Sequence, residues 1–167
     1  MKPRVRITRL TLDDEAEFVA AARASRALHG RWVNPPTTGA AFREKLARMQ
    51  GPADLAYAVR RADDAALAGC IEITQIVRGP LRSAYLGCYA FAEHARQGLM
   101  AEGLRRLVRL AFTELKLHRL EANIQPENEP SIALVRACGF HREGFSPRYL
   151  KIRGRWRDHE RWAILDS

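Results

Sequence analysis

Gly98, Asn128 and Ser131 have the residue types and spacing to do chemistry together. The loop Ala95-Arg96-Gln97-Gly98-Leu99-Met100-Ala101 runs into a helix-period segment. A helix start leaves N–H groups unpaired, and its dipole favours anions. Gly98 lets the main chain approach phosphate oxygens, and Arg96 can add a charged hydrogen bond. Further on, Asn128-Glu129-Pro130-Ser131 opens a second helix, which Gly139-Phe140 ends. Asn128 reads as its N-cap and Ser131 as a first-turn residue. The stretch Ser83–Phe140 thus reads strand, glycine loop, helix, strand, capped helix. That order sets free backbone donors beside a strand end, a place for a ligand with a pyrophosphate and a long amide arm.

The elements that position these residues follow from periodicity. Arg4–Leu12 alternates as a first strand. Thr11 or Asp13 caps a helix whose apolar stripe is Phe18, Val19 and Ala22. Trp32-Val33-Asn34-Pro35-Pro36 breaks that helix, because proline cannot continue it. Thr38–Met49 reads as a second short helix, ended by Gly51-Pro52. Leu55–Arg60, Ala66–Val77 and Ser83–Phe91 read as three strands of an antiparallel meander, with turns at Asp63-Asp64 and Gly79-Pro80. Ser83–Phe91 is apolar on both faces, so it belongs inside the sheet. From Gly98 the period becomes helical, with Leu104, Leu107, Val108, Ala111 and Leu115 on one face. His118–Ile124 is a strand, Ser131–Cys138 a helix, and Phe140–Phe145 with Arg155–Ile164 a closing pair across the Lys151–Gly154 turn.

The chain has 167 residues, 47% of them hydrophobic, which is enough for one domain and one core over 1–167. No run approaches the ~18 apolar residues that span a bilayer. The N-terminus is basic but lacks an apolar signal core, so a cytoplasmic location is expected. Cys70, Cys88 and Cys138 are scattered among apolar neighbours. They read as buried thiols in a reducing compartment, and no short-spaced Cys/His pair offers a metal site. The net charge of +9 suits an anionic ligand or an acidic substrate. The excess of Arg over Lys reads as compositional habit, so nucleic acid is not expected as the direct substrate.

The glycine loop, the following Ala101-Glu102-Gly103-Leu104, and the segment Leu120–Ser131 with Gly139-Phe140 resemble the acetyl-CoA-binding half of the GNAT N-acetyltransferases. The branch resembled is that of the ribosomal-protein N-terminal acetyltransferases (Rim-type), whose closing hairpin is similar to Arg148–His159. The match is imperfect. Ala95 stands where that family carries Gln or Arg, and Met100 where it carries a small residue. The resemblance covers the second half of the chain well and the first third only in the order of its elements.

It implies an α/β fold: a mixed, mostly antiparallel central sheet, helices on both faces, and a CoA cleft between splayed central strands. It implies acetyl-CoA as co-substrate, with Arg96, Gln97, Gly98, Leu99, Met100 and Ala101 at the pyrophosphate and Asn128 on the pantetheine arm. The N–H groups of Tyr89, Ala90 and Phe91 would polarise the thioester. Ser131, close to the CoA sulfur, would serve the departing thiolate. A tyrosine that many relatives use for that step corresponds here to Val135, which cannot donate a proton. A hairpin carboxylate of some relatives corresponds to Leu150. Glu72, flanked by Ile71 and Ile73, is the first choice of general base, with Glu93 and His94 after it and a water chain as the substitute. His118 and His159 read as packed or surface residues. Cys88 and Cys138 lack a histidine partner, so direct transfer is expected. Trp32 and Asn34 sit on the acceptor side. The acceptor is expected to be a protein N-terminus, with a small amine as the alternative. A non-catalytic CoA- or RNA-binding module is the rival class, and monomer and homodimer both remain open.

Overall fold

The computed structural model describes residues 2–167; Met1, where the expected single domain and the basic N-terminal segment begin, lies outside the described residues. Strands β1 (Val5–Arg9), β2 (Leu55–Arg61), β3 (Leu67–Val77), β4 (Ser83–Ala90), β5 (Arg119–Ile124), β6 (His141–Ile152) and β7 (Arg155–Leu165) form a seven-stranded sheet. Its order is β1-β2-β3-β4-β5-β7-β6. Every neighbouring pair is antiparallel except β4 and β5, which run parallel. The expected meander and the central place of the doubly apolar strand are both found.

Helices cover both faces. On one face lie α4 (Leu99–Thr113) and α5 (Glu129–Ala137). Leu104, Leu107, Val108 and Ala111 of α4 pack on Val59, Ile71, Ile73, Leu86, Leu120 and Trp162. Gly103 admits close approach, because a Cβ there would stand 2.9 Å from Val59 Cγ1. On the other face α1 (Glu15–Ala24) and α3 (Gly39–Arg48) bury Phe18, Val19, Ala22, Phe42 and Leu46. These pack against Ala56, Ala58, Cys70 and Phe91. A one-turn helix α2 (Arg26–His29) follows α1, and the chain then leaves helix at the segment carrying Pro35 and Pro36.

Local chemistry fixes the element ends. Thr11 N–H donates to Asp14 Oδ2 at 2.8 Å, Thr38 Oγ1 accepts from Ala41 N–H at 3.2 Å, and Gly139 closes α5 at φ 92°. The closing strand β6 is longer than its sequence suggests, 12 residues that include Pro147. It lies at the sheet edge, and a register shift between Ser146 and Leu150, with Arg148 at φ 48°, lets it pass the proline. Among the described residues no helix is long and apolar enough to cross a membrane.

Candidate active site

The parallel pair β4–β5 is joined only at Ser83–Arg119, Ala84–Leu120 and Tyr85–Glu121. Past Tyr85 the two strands part. On its other edge β4 stays zipped to β3 as far as Ala90 opposite Gly69. Phe91 N–H donates to Ala68 O at 2.9 Å, so the antiparallel alternation turns the N–H groups of Tyr89 and Gly87 to β3 as well. Those of Cys88 and Ala90 are left facing the gap. This corrects the expected set of backbone donors: Ala90 belongs to it, Cys88 joins it, and Tyr89 and Phe91 drop out. The Phe91 side chain is buried in the α1–α3 core. Ala90 O also points to the gap and accepts from His29 Nε2 at 2.8 Å.

The loop before α4 is held by two left-handed residues, Arg96 at φ 61° and Gly98 at φ 76°. Gly98 is the N-cap, so the α4 amides open onto the cleft. Arg4 Nη1 donates to Gln97 O at 3.1 Å, and Glu102 Oε1 accepts from Arg4 N–H at 2.9 Å, which ties the loop to the start of β1. A cleft of about 310 Å³ is lined by Arg96, Gly98, Leu99, Met100 and Ala101 from this loop and by Asn128 and Ser131 from α5. Gln97 does not line it; its side chain donates to Glu93 O at 3.3 Å instead. Met100 stands where a small residue was expected because Gly69 makes room. A Cβ on Gly69 would lie 2.3 Å from Met100 Sδ.

Asn128 Oδ1 accepts from Ser131 N–H at 3.4 Å, a capping bond that leaves the amide nitrogen for another acceptor. A second cavity of about 160 Å³ occupies the gap between β4 and β5 and includes Asn128, Ser131 and Val135. Val135 is buried in the core, so no phenol stands at that place. Cys88 lines the gap, but burial pushes its thiol up to about 12, which removes it as a nucleophile near neutrality.

A third cavity, about 390 Å³, lies on the opposite side of β4. Trp32, Asn34 and Pro35 form one wall, and the Arg31 guanidinium stacks 4.4 Å from the Trp32 ring centroid. Glu72 is here rather than in the gap. Its Oε1 takes both Lys45 Nζ at 2.5 Å and the Tyr89 hydroxyl at 3.2 Å. Lys151 and Arg153 of the β6–β7 hairpin complete the rim. Trp32, Val33 and Cys88 border all three cavities, so the cleft, the gap and this cavity meet at one point.

A family profile described as an acetyltransferase (GNAT) domain matches residues 4–141. The chain belongs to the GNAT acetyltransferase family. It is 38% identical over 119 residues to the probable N-acetyltransferase YjcK of Bacillus subtilis, covering 71% of this chain and 66% of that one. It is 35% identical over 102 residues to the Escherichia coli [ribosomal protein uS5]-alanine N-acetyltransferase, covering 61% and 53%. The matched segment therefore spans about two-thirds and about half of those relatives' lengths. Mycobacterium smegmatis RimJ, solved in complex with CoA-disulfide, superposes with TM-score 0.89 at 26% identity, over 96% of this chain and 81% of that chain. Spermidine N-acetyltransferase from Vibrio cholerae, in complex with CoA and spermine, superposes with TM-score 0.81 at 25% identity, over 97% and 95%.

Within this GNAT frame, sequence reasoning placed Arg96, Gly98, Leu99, Met100, Ala101, Asn128 and Ser131 around one cleft, and the structure brings them together. His29, Val33, Cys88 and His159, which line the cleft or the gap, are not among the site residues the sequence suggests. His29 comes from the first third of the chain, where no motif marks it, and Val33 lies within the Trp32–Pro36 segment that breaks the first helix. His159 sits in a strand that reads as ordinary alternation.

Proposed function

We propose that this chain is an acetyl-CoA-dependent N-acetyltransferase acting in the cytoplasm as one domain, and that its acceptor is the α-amino group of a protein chain. The α4 amides beside Gly98 take the pyrophosphate, and Arg96 adds charge from the rim. Asn128 takes an amide of the pantetheine arm. The N–H groups of Cys88 and Ala90 polarise the thioester carbonyl from the open edge of β4. Ser131 supplies a hydroxyl to the departing sulfur.

The observation that carries the acceptor class is the charge of the cavity opposite the cleft. Arg31, Lys45, Lys151 and Arg153 line it, against the single carboxylate Glu72, which is itself paired with Lys45. A polyamine would bring several positive charges to a positive wall. A peptide brings one, at the amine, with neutral or acidic residues behind it. Trp32 and Pro35 give a stiff apolar face for an extended chain end. The name of the Escherichia coli relative favours a ribosomal protein as that chain; the name of the Vibrio cholerae structure favours spermidine, which the cavity charge opposes.

The test is a screen of peptides beginning with Ala or Ser against spermidine and aminoglycosides, read by thiol release. Peptides are expected to turn over with the higher kcat/KM. If spermidine exceeds every peptide, this reading of the acceptor is wrong.

A further inference from the structure

Transfer to an ammonium needs a proton acceptor at the point where amine and thioester meet, and the gap between β4 and β5 has one imidazole. We propose that His159 is the general base of the reaction. The residues lining the gap include no Asp or Glu. Leu150, which stands where a hairpin carboxylate of some relatives would fall, is one of them. Cys88 and His159 are the thiol and the imidazole among those lining residues.

His159 is 3% exposed, on β7 opposite Ser146. Its Nδ1 lies 2.9 Å from Arg157 O. A carbonyl can only accept, so Nδ1 carries the proton of the neutral ring and Nε2 keeps its lone pair. Tyr149 on β6 packs on the ring, with centroids 6.3 Å apart, and Tyr85 on β4 lies beside Tyr149. Arg157 and Arg161 flank His159 along β7, and Cys88 of β4 with Asn128 and Ser131 at the start of α5 line the same gap. The backbone bond and the tyrosine fix the ring and its tautomer before any ligand arrives.

The ring's role in the step is to take one proton from the acceptor ammonium onto Nε2. The freed nitrogen lone pair forms the C–N bond to the thioester carbon. As the C–S bond breaks, the second nitrogen proton passes to the sulfur through the Ser131 hydroxyl. The imidazolium then releases its proton to solvent. Glu72, in the cavity across β4 with Oε1 doubly engaged, holds the ammonium at the mouth of the gap rather than deprotonating it.

This inference rests on the transfer reaction proposed above and not on which amine is acetylated. The experiment uses any peptide the wild-type chain acetylates, and beside it a hydrazide, whose nitrogen is already neutral at assay pH. His159→Asn keeps a donor for the Arg157 carbonyl. It should lower kcat/KM for the peptide by about 10²–10⁴-fold, abolish the acid limb of the pH profile, and leave acetyl-CoA affinity unchanged. The hydrazide should lose far less. Equal losses for both acceptors, or peptide turnover within threefold of wild type, would overturn the assignment. Should the variant not bind acetyl-CoA, wild type decides. Its peptide profile must show an acid limb on kcat that the hydrazide profile lacks, and superimposable profiles refute the base. Wild type that binds acetyl-CoA yet acetylates no amine would instead refute the transfer reaction.

Discussion

The two sides of the cleft are built differently. The α4–α5 side comes from one continuous stretch, the Gly98 loop, β5 and the Asn128 cap, each shaped by its own local residues. The opposite side is assembled from Trp32–Pro35 after α2, Lys45 on α3, Glu72 on β3 and Lys151–Arg153 at the hairpin, segments that meet only after folding. The first is a backbone site: amides at a helix start and along an open strand edge. The second is a side-chain site whose character is its charge. A backbone site tolerates sequence change, as Met100 over Gly69 illustrates. A side-chain site changes specificity one residue at a time.

Substitutions on each side should therefore fail in different ways. The largest effect is expected at Gly98, whose φ of 76° strains any L-residue and whose place at the α4 start would set a carboxylate against the ligand phosphates. Gly98→Glu should weaken acetyl-CoA binding about 100-fold or more, ~2.7 kcal/mol. The thermal midpoint should fall only modestly, since Gly98 is exposed and an L-residue in this region costs roughly 1–2 kcal/mol. Calorimetry against acetyl-CoA reads this directly; unchanged affinity would remove the loop from the site.

Reversing charge on the other side should leave acetyl-CoA affinity alone and move acceptor choice. The pair Lys151→Glu with Arg153→Glu is expected to raise kcat/KM for spermidine relative to an Ala-peptide by about tenfold at low salt, and by less at high salt. A fall in acetyl-CoA affinity instead would mean that the two sides are not separable.

The smallest effect concerns the joint between them, where His29 binds the Ala90 carbonyl. Burial, opposed in part by that hydrogen bond, pulls the imidazole below its ordinary 6.5. The unfolded chain therefore takes up this proton first as pH falls. The stabilisation is full above about pH 6.5 and is lost as pH drops through the lower folded value. His29→Gln retains a donor for Ala90 O and cannot titrate. Thermal melts should show wild type losing its advantage over the variant as pH falls from about 6.5 through the lower folded value, and parallel curves would discount the ring.

The legibility of the sequence follows the same division. The meander, the α4 stripe and the Asn128 cap depend on neighbours a few residues away, so periodicity and capping rules located them. The fold resemblance added the cleft. A carboxylate between Ile71 and Ile73 makes Glu72 stand out in the sequence, but its engagement by Lys45 depends on how α3 crosses β3. Alternation in β7 marks His159 as an ordinary strand residue and does not reveal that β4 and β5 part to open a gap that it lines. Which amides of β4 face the gap is decided by the β3–β4 register, anchored by Phe91 and Ala68, and the sequence of β4 alone does not carry that register.

The short ladder between β4 and β5 also has a mechanical meaning. The sheet is two plates joined along a seam of three residue pairs, backed by α4 and α5 on one face. A ligand arm hydrogen-bonded to the free edge of β4 and held by Asn128 would lengthen that seam. It would act as a rivet, and slower amide exchange in β5 on adding CoA alone would register the stiffening without any chemistry taking place.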